Sequence, residues 1–202
     1  METERLVEQL AADLQPVRRI PPPAQRLGWW LLVSLPATAL VVLAFGLRPD
    51  LAARLSDRAF LLEEAGAFLT AVLAAYAALC AGLPDQPAWK LWLPLAPMAL
   101  WLGTLGHQCL DAAIRFGLQG LVVTLDAMCV PAIALGGLVP LLAILLLLRR
   151  GGRFRATHCS ICGALAGAAL AAAALRLYHT QDAAIMVIVW QLGSAFLFTL
   201  LA

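Results

Sequence analysis

The chain has 202 residues, 62% of them hydrophobic and only 13% charged, with a net charge of +2 and a mean hydropathy of +0.87. A soluble domain is about half apolar and about a quarter charged, so this balance excludes an ordinary soluble fold and predicts an integral membrane protein. So small a net charge gives no footing for direct nucleic-acid binding.

Residues 1–26 form the one substantial polar stretch. Leu6, Val7, Leu10 and Leu14 fall on one stripe of a helix whose other face carries Glu4, Glu8 and Asp13. Pro16 disfavours continuation past Gln15, and Pro16-Val17-Arg18-Arg19 followed by Pro21-Pro22-Pro23 reads as a stiff, extended spacer. So short an amphipathic helix has nothing of its own to bury against and requires a partner. An interfacial helix normally meets anionic lipid with lysine and arginine, whereas this polar face is acidic, which points to a protein partner.

Long apolar runs follow, separated by Pro, Gly and charge clusters. They predict an all-α, polytopic bundle in residues 27–202 and not the alternating strands of an outer-membrane barrel. Helix rise sets a span at about 20 residues. Six are expected, at about 27–47, 60–83, 89–106, 122–148, 157–177 and 183–202. The first is longer than a secretory signal core and is read as a span; Trp29-Trp30 is expected at its interface and Pro36 as a kink. Arg48–Arg58 is too polar to cross and predicts a short surface helix. In the fifth run, Gly163 and Gly167 have the small-xxx-small spacing that permits close helix contact.

With the N-terminus inside, the inner face holds Arg5, Arg18, Arg19, Arg26, Lys90, Arg149, Arg150, Arg153 and Arg155, and the outer face only Arg48, Arg54, Arg58, Arg115 and Arg176. Both termini are therefore expected in the cytoplasm, in a bacterial inner membrane with the outer face toward the periplasm.

That orientation sends most chemistry-bearing residues to the outer ends: His107, Cys109 and Asp111 after the third run, Asp126 and Cys129 entering the fourth, Arg176, His179 and Asp182 around the last turn. Thiolate, imidazole and carboxylate are ligands for soft and borderline metals, and two outer cysteines can also close a disulfide. Cys129, His179, Cys109, His107 and Asp126 are the candidate sensor cluster, for a transient heavy-metal or zinc-like divalent ion acting as a signal and not as a required cofactor. His158-Cys159-Ser160-Ile161-Cys162 lacks a second ligand pair and reads as packing.

No Walker loop, zincin helix, dinucleotide motif or nucleophile elbow occurs, and the centres of the runs carry no ionisable side chain, which weighs against a hydrolase or a pump. No enzymatic activity is expected. Two alternatives stay open at this point: a membrane thiol oxidoreductase using the outer cysteines, and a small-solute or metal permease.

Four stretches, in order, resemble the NrsF-type membrane anti-sigma factors of proteobacteria: Leu-Ala-Ala-Asp-Leu-Gln-Pro-Val-Arg-Arg at 10–19, Gly-Leu-Arg-Pro-Asp-Leu at 46–51, Cys129 with Pro131, and Leu-Tyr-His-Thr-Gln-Asp at 177–182 ahead of Trp190. The resemblance covers essentially the whole chain. It implies a six-helix membrane protein that holds an extracytoplasmic-function sigma factor through Leu6, Leu10, Asp13, Pro16, Val17, Arg18 and Arg19, to which the apolar stripe adds Val7 and Leu14, and releases it when periplasm-side cysteines meet heavy-metal stress. By the same resemblance the first sensing cysteine is Cys129, and the second position of some members falls at or beside His179, a histidine here.

Overall fold

The computed structural model describes residues 2–12, 19–117, 129–151, 154–179 and residue 193, and among these there are helices and connecting turns but no strand. In order they are α1 (Glu2–Ala12), α2 (Pro23–Phe45), α3 (Leu51–Arg54), α4 (Arg58–Ala81), a 3-10 turn over Ala88–Trp92, α5 (Leu95–Phe116), α6 (Cys129–Arg149) and α7 (Ala156–Tyr178).

Local chemistry sets these ends. Pro23 opens α2 with its φ already helical and no N–H to strand. Gly46 closes it at φ +82°, where a Cβ would be strained. The Asp57 carboxylate caps α4 by accepting from the Ala59 N–H at 2.9 Å. Gly117, at φ +60°, ends α5.

The five long helices alternate in direction. At one end lie the start of α2, the ends of α4 and α6 and the start of α7, tied by Arg26 donating to the Leu147 carbonyl and by the Arg155 N–H donating to Ala81 O at 3.1 Å. The opposite end gathers Arg48, Glu63 of α4, Gln108 of α5 and Arg176 of α7.

Small residues set the packing at the centre. Ala71, Ala74, Ala75 and Ala78 of α4 are fully buried in the same core as Ala164, Ala166 and Ala169 of α7. A Cβ on Gly167 would sit 3.3 Å from Leu141 Cβ and 3.4 Å from Gly137 O, so the small-xxx-small spacing does bring α7 against α6. Gly66 does the same for α4 and α5: its Cβ would meet Trp101 Cβ at 3.0 Å.

Three of the described helices, α2, α4 and α7, are long and apolar enough to cross a membrane. The all-α expectation therefore holds among the described residues, which supply three such helices where six spans are expected. α6 contributes a shorter apolar segment, Leu135–Arg149, and the expected sixth span, apart from residue 193, lies outside the described residues. α5 differs most from its expected bounds. It starts after Pro94 and, with no proline beyond Pro97 in its first turn, continues through His107, Gln108 and Asp111, which dilute its apolarity, to Gly117. Trp30 also departs from expectation: it is fully buried, donating from Nε1 to Pro140 O at 2.9 Å, while Trp29 is the exposed member of the pair.

Candidate functional site

The candidate sigma-binding residues begin on α1, where every described side chain is exposed; Leu6 is 56% and Val7 59% exposed. Leu10 lies on the same helix, but its side chain is outside the described residues, as are Asp13, Leu14, Pro16, Val17 and Arg18. Arg19 and Ile20 are exposed, in the non-helical stretch that leads to α2. The segment thus presents apolar side chains with no cover, joined by a proline-stiffened link to a buried helix start.

That start is Arg26, assigned from sequence to the polar segment but only 3% exposed in the bundle. Its guanidinium sits on the last turn of α6, donating to the Leu147 carbonyl, and a Cβ on Gly151 would lie 2.8 Å from its Nη2. A cation at a helix C-terminus satisfies an orphan carbonyl and opposes the negative end of the macrodipole. The other Arg26 Nη has no hydrogen-bond partner among the described residues.

Arg48, just beyond the far end of α2, does the same for α7. Its backbone N–H donates to Leu177 O at 3.1 Å and its Nη1 to Arg176 O at 3.4 Å. Unlike Arg26 it also has a carboxylate: Nε and Nη2 grip both oxygens of Asp50 at 2.7 and 2.9 Å. The Arg48 hydrogen bond holds the Asp50 carboxyl down at about 2.

Beneath this cap lies a buried ion pair. Arg176 Nη2 stands 2.7 Å from Glu63 Oε2, with side chains 7% and 1% exposed, and Gln108 of α5 donates to the same oxygen at 2.9 Å. The Phe60 ring centroid is 5.7 Å from the guanidinium carbon. Three helices, α4, α5 and α7, are therefore fastened through one carboxylate oxygen. Sequence reasoning named Arg176 as part of the outer layer but missed Glu63, Gln108 and the capping arginines. The available signal was Glu63-Glu64 inside the apolar run 60–83, since an ionisable residue within a span marks a functional position by default.

The sensor candidates are brought together less completely. Cys109 is half-buried on α5, against the core, and His107 is exposed on the same helix, lining a shallow groove of about 390 Å³ between α4 and α5. Asp111 is engaged with Arg115 at 3.1 Å. His179 does not continue a helix face with Arg176; its backbone is extended, and its N–H donates to Leu175 O at 2.9 Å. Cys129 opens α6, with its side chain outside the described residues, and Asp126 lies wholly outside them. Among the described residues no group of three or more His, Cys, Asp or Glu side chains is placed to hold a metal ion. Cys159 and Cys162 are buried in the core, where small apolar fillers belong.

A family model described as NrsF, negative regulator of sigma F, matches residues 10–202. No curated protein and no solved structure matches the chain.

Proposed function

The chain belongs to the NrsF family, negative regulators of sigma F, and from that membership we propose that it sequesters an extracytoplasmic-function sigma factor at a bacterial inner membrane. Its N- and C-termini face the cytoplasm. α2, α4 and α7 cross the bilayer; α5 and α6, antiparallel to their neighbours in the same bundle, cross with them. The protein acts by binding and not by catalysis. Leu6, Val7, Leu10 and Leu14 enter an apolar groove of the sigma factor, while Arg18 and Arg19 pair with its acidic surface.

The supporting observation is the uncovered apolar pair Leu6 and Val7 on an acidic helix held off the bundle by Arg19–Pro22. Release follows a periplasmic signal, a heavy metal or thiol oxidation, received around Cys129 with His179 or Cys109. Moving such a switch from about 1% to about 99% released takes about 5.5 kcal/mol of differential binding, a demand a thiolate–metal site meets. The capped and ion-paired outer end is the element this signal has to shift, because α7 and the chain beyond α2 meet there.

Co-purification from the native host tests the reading. The full chain brings down a sigma factor; a chain lacking residues 2–19 does not; Cys129→Ser retains capture and blunts metal-induced release. Undiminished capture by the truncated chain contradicts the clamp, and undiminished release by Cys129→Ser contradicts the sensor.

A further inference from the structure

The arginines of the bundle differ in what they face. Toward the end that holds Arg176, Arg48 and Arg54 share Asp50, Arg115 has Asp111, and Arg176 has Glu63. The turn from α6 to α7, at the opposite end, concentrates Arg149, Arg150, Arg153 and Arg155 in one short stretch of sequence. Among the described residues, Arg149, Arg150 and Arg155 meet no carboxylate. Asp85 is the one described acid of the bundle at this end, and it accepts from Gln86 Nε2 at 3.0 Å.

A cation beside the last turn of a helix ordinarily serves its free carbonyls. Other groups already do so here: Leu146 O accepts from the Arg150 N–H at 3.3 Å, Leu148 O from the Gly151 N–H at 3.1 Å, and Leu147 O from Arg26. The side chains of Arg149 and Arg150 are exposed, so their guanidiniums are left for a ligand outside the bundle.

The face beneath them gives that ligand a second property. Leu135, Leu138, Val139, Leu142 and Leu146 of α6 are exposed, whereas Leu141, Ile144 and Leu148 are buried in the core. At 3.6 residues per turn the five exposed residues form one stripe, which Arg149 and Arg150 continue; from Leu135 to Leu146 it is about 17 Å long. Phe154, exposed beside Arg155, adds an aromatic ring of the kind that sits at headgroup level. Guanidiniums grip phosphate oxygens bidentately, and clustered arginines just past an apolar helix favour anionic lipid. A phospholipid with net negative charge presents the phosphate and the hydrocarbon in one molecule.

We propose that the α6–α7 turn binds an anionic phospholipid, its phosphate held by Arg149 and Arg150 and an acyl chain lying along Leu146, Leu142 and Leu138. The inference rests on the membrane reading of the bundle and is independent of sigma-factor capture.

The test uses the full chain in phosphatidylcholine nanodiscs, photolabelled with trace phosphatidylglycerol or trace phosphatidylcholine carrying the same acyl-chain diazirine. Phosphatidylglycerol should label Leu138, Leu142 and Leu146 more than phosphatidylcholine does. Arg149→Gln/Arg150→Gln should lower that labelling by about fivefold for each arginine, the factor equivalent to about 1 kcal/mol per basic residue at an anionic surface. Arg54→Gln/Arg115→Gln removes the same charge from arginines already paired and should leave it unchanged. Labelling by phosphatidylcholine should be alike in all three chains, which separates lost recognition from lost fold. Equal labelling by the two lipids, an indifferent Arg149→Gln/Arg150→Gln, or an equal loss in Arg54→Gln/Arg115→Gln overturns the proposal. So does a benzophenone side chain at Leu146 that crosslinks to residues 2–12, because the acidic α1 is then the occupant. A chain that fails to enter the nanodisc overturns it together with the membrane reading, whereas an inserted chain without lipid preference overturns it alone.

Discussion

The two ends of α2 carry the same device in two electrostatic settings. Arg26 near its start and Arg48 beyond its end each place a guanidinium on the C-terminal carbonyls of a neighbouring helix, α6 and α7 respectively. Arg48 has a bidentate carboxylate and stands over the Glu63–Arg176 pair. Arg26 has a carbonyl and a helix dipole, and no carboxylate partner among the described residues. The Arg48 end is therefore a network whose members depend on one another, whereas the Arg26 end is a single plug between the bundle and the N-terminal segment. Breaking one member leaves a stranded charge at the Arg48 end and no such charge at the Arg26 end.

The largest effect should come from Glu63→Ala. It leaves the Arg176 guanidinium buried without its carboxylate and is expected to cost about 3–5 kcal/mol. Replacing both partners, Glu63→Leu with Arg176→Met, removes the stranded charge and should recover most of that loss. Denaturant titration in micelles followed by circular dichroism measures both, and a double variant no better than Glu63→Ala would mean that Glu63 acts through packing alone.

Arg26→Met is expected to cost much less, about 1 kcal/mol, because the lost carbonyl hydrogen bond is offset by relief of a buried cation. A loss as large as that of Glu63→Ala would erase the contrast between the ends.

The smallest effect concerns pH. Asp50 has its carboxyl held down at about 2, below the ordinary value of 3.8, so its contribution is fully present above about pH 4 and disappears as pH falls through 2. Asp50→Asn should flatten the stability profile in that window and leave it unchanged at pH 7 apart from a constant offset. An unaltered acid slope would show that Arg48 does not hold Asp50 in solution.

The helices were legible wherever apolar length and breakers agree. α2 and α4 fall within four residues of their expected bounds because Pro23, Gly46, Asp57 and Gly82 stand at or beside their ends, and α7 falls within one residue of its own. α5 was misjudged because a run of polar residues, His107 to Asp111, looks like the end of a span, although polar residues do not stop a helix and Gly117 does. That Arg176, His107 and Cys109 share one end of the bundle was legible, since the helices alternate in direction. Which of them meet was not. The Glu63–Gln108 and Glu63–Arg176 contacts join residues 45 and 113 positions apart, and helix rotation, set by where Gly66 admits Trp101 and Gly167 admits Leu141, decides them. Arg26 was placed in the soluble segment on its charge, which says nothing of a helix C-terminus waiting for a cation.

Sigma-factor capture should depend on α1 and not on the ion pair. The affinity of the purified full chain for its cognate sigma factor, measured for Leu6→Asp/Val7→Asp beside Glu63→Leu/Arg176→Met, separates the two. The α1 double variant should bind at least about thirtyfold more weakly, the loss expected when apolar anchors of about 2 kcal/mol or more are replaced by charge, and the ion-pair variant should bind as the unaltered chain does. Unchanged affinity in the α1 variant would contradict capture through the N-terminal helix.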